Sequence, residues 1–232
     1  FISNKNSCKL ISYQTRSPYI LDPLSYFSNF DYYFSWSSFW YNHKNTNAKK
    51  IIYGSPFKLL QNFDSKSRSI AVFPAEINDS IHCSKEYFIK FFEIILNLAK
   101  IYKDYNFHFK MKYTNQFNPT ETNLNIPSNL KIYDNYSNID KLIIKSNIVI
   151  SQSFTSPGFY ALGLGIKSII LSHLEISYKN LSELPIVFNY DNKIFNSFDD
   201  FISNRKQKVF LKTRKKLFHN NDLRYIVKKT IK

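Results

Sequence analysis

Residues 150–170 read "ISQSFTSPGFYALGLGIKSII" and hold three of the four glycines in the chain. Ser151, Ser153, Thr155 and Ser156 place four hydroxyls in six residues, directly after an apolar run and directly before a helical pattern. A helix start exposes free backbone N–H groups and the positive end of the helix dipole, which together hold an anion. Hydroxyls at that end add donors. Pro157 suits the first helical position, where its missing N–H costs nothing. Gly158 lets a ligand or another backbone approach closely, and Gly165 reads as the cap that ends the helix. Ser and Thr before a helix also serve as plain N-caps that bind nothing. The spacing is neither a P-loop nor a dinucleotide fingerprint: no G-K-[ST] follows, and two of the glycines end the helix.

Other chemistry-bearing side chains are scattered. Glu76 and Asp79 follow an apolar strand in "PAEINDS" and are suited to sugar hydroxyls or acid–base work, or are ordinary loop acids. His82 and His108 can approach a phosphate or simply pack, and His173 ends another strand. No His, Cys or carboxylate cluster has metal-ligand spacing, so neither a metal nor a cofactor is expected. Cys8 and Cys83 are the only cysteines, which makes a reducing compartment the default.

The elements that must position these groups are legible from periodicity. Strand-like runs at 8–14, 31–36 and 49–56 precede a polar stretch at 58–68 that reads as a linker. Strands and helices then alternate: strand 69–75, a helix from Ser84 to about 104, and strands 106–113 and 129–134. A short helix follows, then strand 147–151, the helix after Ser156, strand 167–172, strand 184–190 and closing helices. Phe88, Phe91, Phe92, Ile95, Leu98 and Ala99 recur at helical spacing. Such alternation requires crossover connections and a parallel sheet. The expected fold is α/β: a Rossmann-like parallel sheet flanked by helices, with a partial second α/β domain at the N-terminus. We divide the chain into 1–57, a linker at 58–68, the Rossmann-like domain at 69–204 and a basic helical tail at 205–232. Ligands in such sheets sit at the carboxyl ends of the strands, and "SQSFTSPG" falls there.

The chain of 232 residues carries a net charge of +15, and its last segment concentrates the imbalance. From Arg205 to Lys232 there are eleven Lys or Arg against one acid, Asp222. Such a tail suits nucleic acid or an anionic membrane surface and does not choose between them. No apolar run approaches the ~20 residues of a membrane span. The run "SYFSNFDYYFSWSSFWY" is dense in aromatics that serve core and interdomain packing. The chain starts at Phe1 with Met111 as its sole methionine, and reads as a fragment whose beginning is missing.

The order "NYSNIDKLIIKSNIVISQSFTSPGFYALGLGIKSIILS" resembles the nucleotide-sugar-binding half of GT-B glycosyltransferases, especially those of bacterial surface polysaccharide synthesis. In that family a short helix and a strand ending in Ser precede a Ser/Thr-rich loop, and a helix–strand unit follows. The resemblance implies that Ser151, Ser153, Thr155, Ser156 and Gly158 surround the donor phosphate. "NFHFKMKY" is similar to the family's Lys-bearing strand, which offers Lys110 or Lys112 as a second phosphate contact. Tyr160 stands where many members keep a ribose-binding Glu, and with His173 is a candidate for the nucleotide or sugar. "DYYFSWSSFWYNHKNTNAKKIIYGSP" resembles the passage that closes the N-terminal domain. "ISYQTRSP" is then a cleft loop in which Gln14 and Arg16 meet the acceptor. The similarity spans roughly 8–190.

The expected function is therefore glycosyl transfer from a nucleotide-activated donor to a surface polysaccharide or glycolipid. The expected setting is cytoplasmic, peripheral on the inner membrane face through the basic tail. Two other readings stand beside it: a basic nucleic-acid-binding protein, and a sugar-nucleotide epimerase or glycerophosphotransferase on the same fold. No RRM, KH or helix-turn-helix pattern supports the nucleic-acid reading.

Overall fold

The computed structural model describes residues 11–13, 31–37, 49–52, 67–77, 84–112, 124–153, 155–172, 184–190, 193–203 and 205–218. Short buried strands at the centre of a sheet must be apolar on both faces. Strands β4 (Ser69–Phe73), β7 (Ile148–Gln152) and β8 (Lys167–Leu171) meet that requirement over most of their length, whereas β5 (Asn106–Lys110) alternates, with Phe107 and Phe109 on one face. With β6 (Leu130–Tyr133) and β9 (Val187–Phe188) they form a six-stranded sheet in the order β6-β5-β4-β7-β8-β9. Every pairing is parallel, with Ile70 opposite both Phe107 and Ile148, and Val149 opposite Ser168.

Parallel neighbours demand helical crossovers. Helix α1 (Lys85–Ile101) joins β4 to β5 and buries Phe88, Phe91, Phe92, Ile95, Leu98 and Ala99, the stripe its periodicity announces. Phe109 of β5 receives three of those rings, with centroids 6.2, 6.2 and 5.1 Å away for Phe88, Phe91 and Phe92. Helix α2 (Ile139–Ile144) carries the chain back from the β6 edge to β7, on the far side of β4. Helix α3 (Ser156–Leu164) then joins β7 to β8 and ends at Gly165 in the left-handed conformation, φ 91°. The direction of winding thus reverses between β4 and β7. In open parallel sheets that reversal leaves a crevice at the carboxyl ends of the two strands.

The last strand is shorter than the sequence expectation. The strand expected over 184–190 is only the two residues of β9, because Leu184–Ile186 turn into it, with Val187 N–H donating to Leu184 O. The closing helical segment is two helices, α4 (Lys193–Ile202) and α5 (Gln207–Leu217), broken where Asp200 meets Arg205 and Lys206.

The chain clusters into two compact units, Leu59–Leu211 and a second made of Phe1–Lys58 with Lys212–Lys232. In that second unit β1 (Ile11–Tyr13), β2 (Tyr32–Ser35) and β3 (Lys49–Ile52) form a parallel sheet in sequence order. Phe34 and Trp36 are fully buried there, and the Trp36 ring lies 5.3 Å from that of Phe218.

Candidate functional site

The carboxyl ends of β5, β4 and β7 lie side by side, and each contributes a polar group. Beyond β7 comes Ser153, the one non-glycine residue with positive φ (55°) among the described residues. A side chain pays for that conformation, and such strain collects where the surroundings enforce it. Here the Ser153 N–H bonds Leu171 O at 2.6 Å, which turns the chain sharply off the sheet. Two residues on, Thr155 takes the N-cap position of α3 yet makes no side-chain capping bond. Its Oγ1 is buried without a hydrogen-bond partner. The other crossover helices differ. Ser84 Oγ accepts from Tyr87 N–H at the start of α1, and Asn138 Oδ1 accepts from Lys141 N–H at the start of α2. Ser156 is exposed on the first turn of α3.

Ser151 and Gly158 do something else. A Cβ built on Gly158 would stand 2.3 Å from Ser151 Oγ and 3.3 Å from Ser168 Oγ. Gly158 therefore lets α3 lie against β7 and β8, which is the backbone-approach half of the sequence reading. The Ser151 side chain, fully buried beneath the helix, is directed at α3 and not at the strand ends.

The two lysines after Phe109 part company. Lys110 is buried, and its Nζ donates to Met111 O at 3.2 Å and Asn135 O at 3.1 Å. Burial pushes its pKa down, and the nearby Asp134 partly offsets that. Lys112, half exposed, instead forms an ion pair with the Glu76 carboxylate, bringing the ends of β5 and β4 together. Tyr160 faces α2: burial raises its phenol pKa first, and the Asp140 carboxylate adds to the shift. His108 Nδ1 lies 3.0 Å from the Tyr133 hydroxyl, and burial, then Lys131, lowers its pKa. Gln14, Arg16, Asp79, His82 and His173 lie outside the described residues.

One residue at this edge escaped the sequence reading. Gln152, the last residue of β7, is fully buried. Its Oε1 accepts from Ala75 N–H at 2.9 Å, and its Nε2 donates to Tyr87 O at 3.2 Å. A buried primary amide must have its groups satisfied. Here it is satisfied by fastening the end of β7 to the chain leaving β4 and to the first turn of α1. The only signal was a glutamine in an otherwise short-side-chain "SQS". Among the described residues no group of three or more His, Cys, Asp or Glu is placed to hold a metal ion. No described helix is long and apolar enough to cross a membrane.

No family model matches the chain, and no curated protein matches it in sequence. Solved structures do. The glycosyltransferase SnogD from Streptomyces nogalater superposes with a TM-score of 0.50 at 14% identity, covering 82% of this chain and 51% of its own. The H548A form of the wall teichoic acid polymerase TagF gives 0.51 at 17% identity, covering 86% of this chain and 57% of its own. A TagF H444N form soaked with CDPG gives 0.50 at 15% identity, with coverage of 86% and 56%. The chain spans little more than half the length of each of these proteins. At such identities the likeness concerns the path of the backbone alone, and that path is the GT-B fold, with the six-stranded sheet as its Rossmann-like half.

Proposed function

We propose that this chain binds a nucleotide-activated sugar at the carboxyl ends of β5, β4 and β7 and serves a glycosyltransferase that builds a surface glycan. The observation that carries the reading is the start of α3. A capping-type residue, Thr155, makes no side-chain capping bond at the helix tip, two residues after the left-handed Ser153, at the reversal point of the sheet. The donor's diphosphate takes the place of the cap. As the bond from the sugar to that phosphate breaks, negative charge grows on the departing oxygen. The N–H groups of the first turn, the hydroxyls of Ser153, Thr155 and Ser156, and the Lys112 ammonium meet it in fixed positions. The acceptor is a glycan or lipid-linked glycan hydroxyl.

The test is calorimetric titration of the chain with UDP, GDP and CDP. Ser153→Ala with Thr155→Ala is expected to weaken the bound nucleotide about tenfold or more, the worth of hydrogen bonds to a charged group. Thermal unfolding should stay near that of the parent. Unchanged affinity would overturn the reading. A phosphotransfer reading has one observation in its favour, the likeness to the TagF polymerase. Glycosyl transfer releases a nucleoside diphosphate, whereas phosphotransfer breaks the diphosphate and releases a nucleoside monophosphate, so product analysis separates them.

A further inference from the structure

We propose that Glu76 and Lys112 are a pair that the donor pulls apart: phosphate takes the Lys112 ammonium, and the freed Glu76 carboxylate takes a hydroxyl of the sugar. This rests on the reading above and assigns the Glu76–Lys112 pair a role in it. The argument begins with the two lysines of β5. Lys110 is closed to a ligand because two backbone carbonyls already hold its buried Nζ. Lys112 has a partner of a different kind, a side-chain carboxylate at an open strand end, and its side chain remains 53% exposed. An ion pair in that setting contributes little to stability, because water screens it and two long side chains must be ordered to make it. A phosphate carries more charge than a carboxylate and accepts more hydrogen bonds, so it displaces Glu76 at modest cost.

The exchange also needs the carboxylate to stay at the site once it is released. Gln152 provides for that. Its bond to Ala75 N–H fixes the backbone immediately before Glu76 to the end of β7, the strand that leads into the Ser153 turn. The backbone of Glu76 is thus anchored on the same edge as the α3 tip while its side chain is free to turn. The three groups occupy the ends of three adjacent strands, roughly 5 Å apart per strand.

The experiment is calorimetric titration of the full chain with the bare nucleoside diphosphates and with their glucose conjugates, in parent, Glu76→Gln, Lys112→Met and Gln152→Leu forms. The exchange predicts that Glu76→Gln binds a bare diphosphate about threefold to fivefold tighter, because the Glu76 carboxylate no longer competes with phosphate for Lys112. The same variant should lose the added affinity contributed by the sugar. Lys112→Met should weaken both ligands together. Gln152→Leu should weaken the sugar conjugate more than the bare diphosphate. If Glu76→Gln and Lys112→Met leave every affinity unchanged while Ser153→Ala still weakens binding, the pair is structural and the exchange is overturned, with the donor site intact. If no nucleotide binds the parent chain, the exchange and the donor site fall together.

Discussion

The two edges of the six-stranded sheet use the same kinds of polar residue for opposite ends. At the amino edge, side chains hold the last carbonyls of the helices that arrive there. Asn129 Nδ2 donates to Ala99 O, Tyr102 O and Tyr105 O at the end of α1. Lys167, buried at the start of β8, donates to Phe201 O at 2.7 Å and Ile202 O at 3.4 Å at the end of α4. Ser67 and Ser146 do the same for Lys145 O and Leu142 O at the end of α2. Asn147 Oδ1 and Ser168 Oγ, buried without a partner, are exceptions. At the carboxyl edge the helices begin, and there α3 is left without its side-chain cap and Lys112 pairs with the Glu76 carboxylate. The comparison teaches that polarity at a sheet edge does not by itself mark a site. What marks it is whether the fold has already satisfied the group.

Substitution can break this contrast, and the largest effect should come from Gly158. Gly158→Ala drives a methyl against Ser151 Oγ, and overpacking of this kind costs ~1–3 kcal/mol. Denaturant unfolding should show the loss, and adding Ser151→Ala should restore a good part of it. Asn129→Ala comes next. It strands several carbonyls at the end of α1 and should cost about 1–3 kcal/mol without touching nucleotide affinity. A nucleotide effect as large as that of Ser153→Ala would erase the distinction between the edges.

Lys167 sharpens the comparison through pH. Burial pushes its pKa down to about 8 from the ordinary 10.5. The unfolded chain therefore holds this proton more tightly than the native one. The cost of burying the charge is fully present below about pH 8 and is relieved as pH rises toward 10.5. Relative to Lys167→Met, the parent should gain stability across that window, measured by chemical denaturation at a series of pH values. A flat difference would mean that the ammonium is hydrated at the amino edge. The smallest effect on stability should be that of Thr155→Val. It removes a buried hydroxyl that has no partner, so unfolding should shift by no more than about 0.5 kcal/mol in either direction. Nucleotide binding should nevertheless fall.

Much of the frame was legible. The stripe from Phe88 to Ala99, the cap at Ser84 and the left-handed stop at Gly165 were each readable, because a helix declares itself through periodicity and end chemistry within a few residues. Alternating strands and helices implied a parallel sheet. The two-residue β9 was not legible, since "LPIVFNY" has strand composition and only its fit beside β8 decides how much of it pairs. At the site, sequence brought Ser153 and Thr155 to a strand end and could not tell Lys110 from Lys112.

The sequence by itself determined which residues stand at the end of β7 and that a helix opens there, because both depend on neighbours along the chain. Only the tertiary structure decided that Ser151 lies under Gly158, that Lys110 is bound to Asn135 O while Lys112 meets Glu76, and that Gln152 joins two strand ends. The physical reason is the same in each case. A polar group's availability is set by what other segments bring within about 3 Å of it, and strand order, which local pattern does not encode, selects those segments.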